Sequence, residues 1–150
     1  MSIQGLNHVS VTVADIETAL AFWRDALGLE LTGRGVAEHD HLDRITGLAN
    51  TRIEWAELAI PGGGVVELFR YLHPPGTAVH LAPNDPGATH IAFQVTDIDE
   101  LDARVRRAGF TTRSDGPIGI PSGDWRGWRD LYITSPDGVI VELSEAPAPR

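Results

Sequence analysis

The chain has 150 residues, 42% of them hydrophobic, which suits one compact domain of ordinary size or two small modules sharing a core. A formal net charge of -9 argues against nucleic acid or an anionic membrane as partner, since both reward clustered cations. All 12 basic residues are Arg and Cys is absent, so lysine Schiff-base chemistry, disulfides and thiolate metal sites are excluded, and any metal must be held by His and carboxylates.

In chain order, the first predicted strand is HVSVTV, whose alternation sets His8, Ser10 and Thr12 on one face and Val9, Val11 and Val13 on the other. Asp15 is a predicted helix N-cap, followed by Ile16, Leu20, Trp23 and Leu27 on one face and Gly28 as a stop. Residues 33–52 lie outside the regular pattern, and EHDHLDR (38–44) reads as a loop. Weaker strand character returns at IEWAELAI (53–60), then a PGGG turn (61–64) leads into the strand VVELF (65–69). HPPGTAVHLAPNDPG (73–87) reads as a linker, because its prolines continue neither helix nor central strand.

Past this linker the same series of signals begins again. THIAFQVTDI (89–98) aligns with NHVSVTVADI (7–16), placing His90 over His8, Asp97 over Asp15 and Ile98 over Ile16. Ile98, Leu101 and Val105 continue into a helix that ends at Gly109. SDGPIGIPSGDWRGWRD (114–130) is irregular, DLYITSP (130–136) is a weaker strand, and SPDG turns into IVELS (140–144), where Glu142 aligns with Glu67. The predicted fold class is α+β, built as two paired β-α-β-β-β modules: module 1 over about 4–72 and module 2 over about 88–146, within a single domain spanning 1–150.

Two polar residue types recur in register within otherwise apolar strands. An ionised carboxylate in such a strand costs several kcal/mol, on the order of magnitude of a buried charge, unless something compensates it. A repeat kept for packing alone preserves apolar positions and turn glycines and has no reason to keep His and Glu twice. His8, Glu67, His90 and Glu142 are therefore candidate ligands of one divalent cation, which accounts for all four together.

These residues carry a resemblance to the vicinal oxygen chelate superfamily, which holds glyoxalase I, methylmalonyl-CoA epimerase, extradiol dioxygenases and the fosfomycin and bleomycin resistance proteins. LNHVSVTVADIETALAFWRDALGLEL resembles its opening strand and helix, GVVELFRY its first glutamate strand, ATHIAFQVTDIDELDARVRRAG its second opening, and SPDGVIVELSE its ending. The resemblance implies a cup-shaped mixed sheet around a metal, a homodimer, and a small-molecule substrate with vicinal oxygens. His8, Glu67, His90 and Glu142 match the His-Glu-His-Glu set of glyoxalase I and the closely similar set of the epimerases. That set implies Zn, Ni, Co or Mn rather than Fe, because the extradiol dioxygenases use two His and one carboxylate and leave positions open for oxygen.

After Glu67 the sequence reads LFRYLHPPG, without the asparagine-bearing motif by which glyoxalase I holds glutathione. The expected function is thus a metal-dependent isomerase or epimerase, moving a proton next to a carbonyl through a stabilised enediolate or enolate, with Glu142 first and Glu67 second as the catalytic base. A glyoxalase I-like lyase, a metal-independent drug-binding protein and an extradiol-type dioxygenase are the alternatives. EHDHLDR is either a solvated loop or a lid bringing His39 or His41 to the substrate. Trp125, Arg126 and Trp128 either clamp an anionic or planar group or pack at a dimer seam. Trp55, Phe69 and Tyr71 either line the cup or fill the core. No segment has the length of a membrane span, and MSIQGLNH lacks a basic-then-apolar leader, so a cytoplasmic location is expected.

Overall fold

The computed structural model describes residues 2–148. The chain divides between Ala78 and Val79 into two compact units, each built on a four-stranded mixed sheet with few helices, an α+β arrangement.

In unit 1, β1 (His8–Thr12) leads to α1 (Ile16–Leu20), which continues as a π-helical segment over Ala21–Ala26. Asp15 caps α1: its Oδ1 accepts hydrogen bonds from Thr18 N at 2.9 Å and Thr18 Oγ1 at 2.9 Å, which hold its carboxyl below the usual range. The widened turn is closed by Leu27 N donating to Phe22 O at 2.9 Å, and Gly28 then takes φ 85° to release the chain. The strands β2 (Glu30–Glu38), β3 (Arg52–Ala59) and β4 (Val65–His73) complete a sheet of order β1-β4-β3-β2, in which β1 runs parallel to β4 and the other neighbours are antiparallel.

Alternation sorts this sheet into two faces. Ala56, Leu58, Val66 and Leu68 are fully buried on one, with Ile16, Leu20, Phe22 and Trp23 also buried in the core. Each large apolar side chain so buried stabilises by about 1.5–3 kcal/mol. Trp55, Glu57, Glu67 and Phe69 project to the other face, at half-buried positions.

Two expectations are corrected in this unit. Residues 33–38 belong to β2, a strand paired with β3, whose signal was hidden by Gly33 and Gly35 on either side of Arg34 and by a bulge between Leu31 and Gly33. EHDHLDR is not a loop: Glu38 closes β2 and residues from Asp40 onward form α2 (Asp40–Thr46), which ends at Gly47 with φ 72°. This short helix depends on a tertiary clasp, in which Asp43 accepts from Asn50 N at 2.8 Å and Thr51 N at 2.7 Å. Seven residues with few apolar positions give too little periodicity for a sequence to announce.

Unit 2 repeats the plan with β5 (His90–Val95), α3 (Ile98–Arg107), β6 (Ile118–Gly119), β7 (Arg129–Thr134) and β8 (Ile140–Glu145), in sheet order β5-β8-β7-β6. β5 is parallel to β8, and β7 is antiparallel to both β6 and β8. Leu131, Ile133, Val141 and Leu143 pack with Ile98 and Val105 of α3 in the buried core. The start of α3 is tied down twice: Asp97 Oδ1 accepts from Glu100 N at 3.4 Å and Glu145 Oε1 from Ile98 N at 3.1 Å. Arg129 joins Asp99, at 2.6 Å, to Glu145, at 3.3 Å. Its guanidinium holds the Asp99 carboxyl below the usual range. Among the described residues no helix is long and apolar enough to cross a membrane.

Candidate functional site

The parallel strand pairs create the same local geometry in each unit. In unit 1, His8 is in register with Val65 and Ser10 with Glu67, so the His and Glu side chains share a face of neighbouring strands, and His8 Nε2 lies 3.2 Å from Glu67 Oε2. In unit 2, His90 is in register with Ile140 and Ala92 with Glu142, and His90 Nε2 lies 3.1 Å from Glu142 Oε2. In both pairs the Glu side chain is 16% exposed and the His side chain about half, so the carboxylate sits deeper than the imidazole.

The donor chemistry fits a cation. His8 Nδ1 lies 2.7 Å from Asn7 Oδ1, which orients the ring so that Nε2 and a Glu67 carboxylate oxygen, both able to ligate a divalent cation, stand side by side. Two ligands bonded to one ion at about 2.0–2.1 Å are about 3.0–3.4 Å apart, depending on the angle between them, and both observed pairs fall in that range. Among the described residues no three His, Asp or Glu side chains form a group able to hold a metal, and each unit has one His–Glu pair of its own.

The strand next to each glutamate supplies a neighbour that the sequence reading missed. Glu57 is in register with Glu67, and Tyr132 occupies the matching position opposite Glu142. Tyr132 also lies 5.6 Å from the His90 ring, and its hydroxyl donates to Glu142. Burial and the charge of Asp130 push the Glu142 carboxyl above its ordinary range, against the opposing pull of His90 and the Tyr132 hydrogen bond. Burial, then the Glu142 charge, raises the Tyr132 phenol. Asp130 is itself bonded by Ser144 Oγ at 2.6 Å. The signal for Glu57, Asp130 and Tyr132 was present in the alternation of IEWAELAI and DLYITSP, once each strand is phased against its glutamate neighbour.

The other expected site residues fall into three groups. Trp55 and Phe69 are cross-strand partners on the Glu67 face, and Tyr71 follows on β4 opposite Ile53. His39 and His41 are exposed at the start of α2 with rings 5.4 Å apart and stacked. Trp125, which is 59% exposed, meets Trp128 edge to face at 4.9 Å beside the exposed Arg126, in the turns before β7.

A two-unit α+β chain with a His–Glu pair repeated at the same parallel register defines a class of protein, and comparison with known proteins identifies it. Residues 5–143 match the Glyoxalase/Bleomycin resistance protein/Dioxygenase superfamily, and the chain belongs to that family. A 2-epi-5-epi-valiolone epimerase from Actinomyces sp is 30% identical over 148 residues, covering 95% of this chain and 80% of that protein. An ethylmalonyl-CoA/methylmalonyl-CoA epimerase from Cereibacter sphaeroides is 32% identical over 145 residues, covering 93% of this chain and 96% of that one. The crystal structure of a glyoxalase family protein from Bacillus cereus superposes with a TM-score of 0.86 at 29% identity, covering 99% of this chain and 97% of that one. These relatives support an isomerase or epimerase activity of this superfamily.

Proposed function

We propose that the protein is a metal-dependent epimerase that moves a proton on the carbon next to a substrate carbonyl. The observation that carries this reading is the His–Glu pair, repeated at 3.2 and 3.1 Å on the same strand register in both units. His8, Glu67, His90 and Glu142 are the four residues that would hold Zn, Ni, Co or Mn. A bound divalent cation would polarise the carbonyl and offset the negative charge that develops as the α-proton leaves.

The residues of the chain supply the proton transfer. Glu142 is the first candidate to accept the α-proton, by loosening from the cation, and Glu67 is the second. Tyr132, donating to Glu142, fixes the orientation of that carboxylate. The epimerase relatives act on a cyclic polyhydroxy ketone and on an acyl-CoA, and both substrate types place a removable proton beside a carbonyl. A homodimer and a cytoplasmic location complete the reading, testable by light scattering and by fractionation.

The test is elemental analysis of tag-free protein beside the His90→Ala variant, followed by an assay on 2-epi-5-epi-valiolone and methylmalonyl-CoA with deuterated water to score exchange at the α-carbon. About one metal per chain, lost in the variant, with α-proton exchange in the wild type, is the expected result. Wild-type protein that exchanges neither substrate after reconstitution with each of the four metals would overturn it.

A further inference from the structure

We infer that the Glu67-bearing face of unit 1 selects an uncharged, polyhydroxylated ring as substrate, with Trp55 as its stacking platform and Glu57 as an acceptor for its hydroxyls. The inference rests on the epimerase reading and names its substrate class.

The platform is built by the neighbouring strand. The Trp55 indole lies across β2 above Gly33 and Gly35, so closely that a Cβ at Gly35 would stand 3.1 Å from Trp55 Cζ2 and one at Gly33 would stand 3.2 Å from Cζ3. Neither glycine has a positive φ, so backbone freedom does not account for them. What they provide is room for a flat ring against the sheet, and the indole remains partly accessible on the face that carries Glu67. Phe69 stands opposite Trp55, and Glu57 stands opposite Glu67 one step further along the same face.

Charge is partitioned between the two faces. Arg34, Arg52 and Arg70 alternate with Gly33, Trp55 and Phe69 and so project away from this face, where they pair with Glu17, Glu38 and Glu54 respectively. On the Glu67 face, β2, β3 and β4 therefore present indole, phenyl, phenol and carboxylate groups and no guanidinium. Ring C–H groups pack on an indole, and hydroxyls donate to carboxylates. An acyl-CoA brings phosphates, which are matched by guanidinium or ammonium groups that these strands do not offer on this face.

The experiment compares metal-loaded wild type with Trp55→Leu, Trp55→Phe and Glu57→Gln, measuring kcat and KM on 2-epi-5-epi-valiolone and on methylmalonyl-CoA, with calorimetric binding of 2-epi-5-epi-valiolone in parallel. Wild-type kcat/KM is expected to favour the cyclic ketone by about 100-fold or more, as losing two or more unpaired polar contacts implies. Trp55→Leu should raise KM for that ketone about tenfold with kcat little changed, Trp55→Phe should restore most of it, and Glu57→Gln should fall between, each variant retaining wild-type metal content. Equal or better turnover of methylmalonyl-CoA, or an unchanged KM in both Trp55→Leu and Glu57→Gln, would overturn the inference. If neither substrate turns over, the epimerase reading fails; calorimetric binding of the ketone that is lost in Trp55→Leu then still upholds the platform, and no binding to the wild type overturns it too.

Discussion

Replacing Gly35 by Ala measures how tightly Trp55 is set on the sheet. The added Cβ would meet Trp55 Cζ2 at 3.1 Å and Cε2 and Nε1 at 3.2 Å, inside the separation of about 3.5–4.0 Å at which carbon pairs attract. Overpacking of this kind costs about 1–3 kcal/mol. Loss of glycine's freedom in the unfolded chain gives back about 0.4–1 kcal/mol, because φ at this position suits alanine. The balance is a net destabilisation of about 0–2.6 kcal/mol, centred near 1. In a Trp55→Ala background the clash is gone and only the entropic gain remains, so the same substitution should stabilise by about 0.4–1 kcal/mol. Gly119→Ala is the internal control, since nothing lies within 4 Å of its Cβ position and it should stabilise in either background. Urea unfolding of the four variants of the cycle, followed by circular dichroism, gives the coupling energy, expected at about 1–3 kcal/mol. A Gly35→Ala protein as stable as Gly119→Ala, or a coupling near zero, would refute the claim that the indole rests on these glycines.

Leu68→Ala, at a fully buried position on the core face of β4, should cost about 2–5 kcal/mol in the same urea assay, whereas Leu81→Ala, at a residue 42% exposed, should change stability little. Asp43 carries a pH signature: hydrogen bonds from Thr51 and Asn50 depress its folded pKa, so its contribution is present above the unfolded value and is lost as pH falls through the folded one. Asp43→Asn should accordingly flatten the loss of thermal stability below about pH 4, and an unchanged acid limb would remove Asp43 as its source. Glu142→Gln, which replaces a desolvated carboxylate facing Asp130 by a neutral isostere, should raise the melting temperature of the metal-free chain while lowering metal content after loading, as sites kept for function commonly oppose stability. A lower melting temperature in the metal-free state would contradict the desolvation argument.

Much of this architecture was legible because the pattern is written twice. One alternating strand headed by His8 and one apolar strand carrying Glu67 are each ordinary, but their recurrence at His90 and Glu142 singles out all four before any contact is known. Asp15 was readable as a cap through a local chemistry that needs only a few following residues, and Asp97, which aligns with it, caps α3 in the same way. The lost parts depend on partners distant in sequence. β2 is a strand because β3 pairs with it and Trp55 covers its glycines, and α2 is a helix because Asp43 reaches Asn50 and Thr51. Glu57 and Tyr132 were missed because their importance comes from cross-strand register with Glu67 and Glu142, which alternation within a single strand does not reveal.

That register also records how the two halves have parted company. The place opposite the glutamate is held by a second acid in unit 1 and by a phenol in unit 2. The pair is the same in both units and its neighbour differs: a second carboxylate stands opposite Glu67, and a hydrogen-bond donor steadies Glu142. The two copies of the pair are therefore chemically unequal, and that inequality begins in the difference between Glu57 and Tyr132.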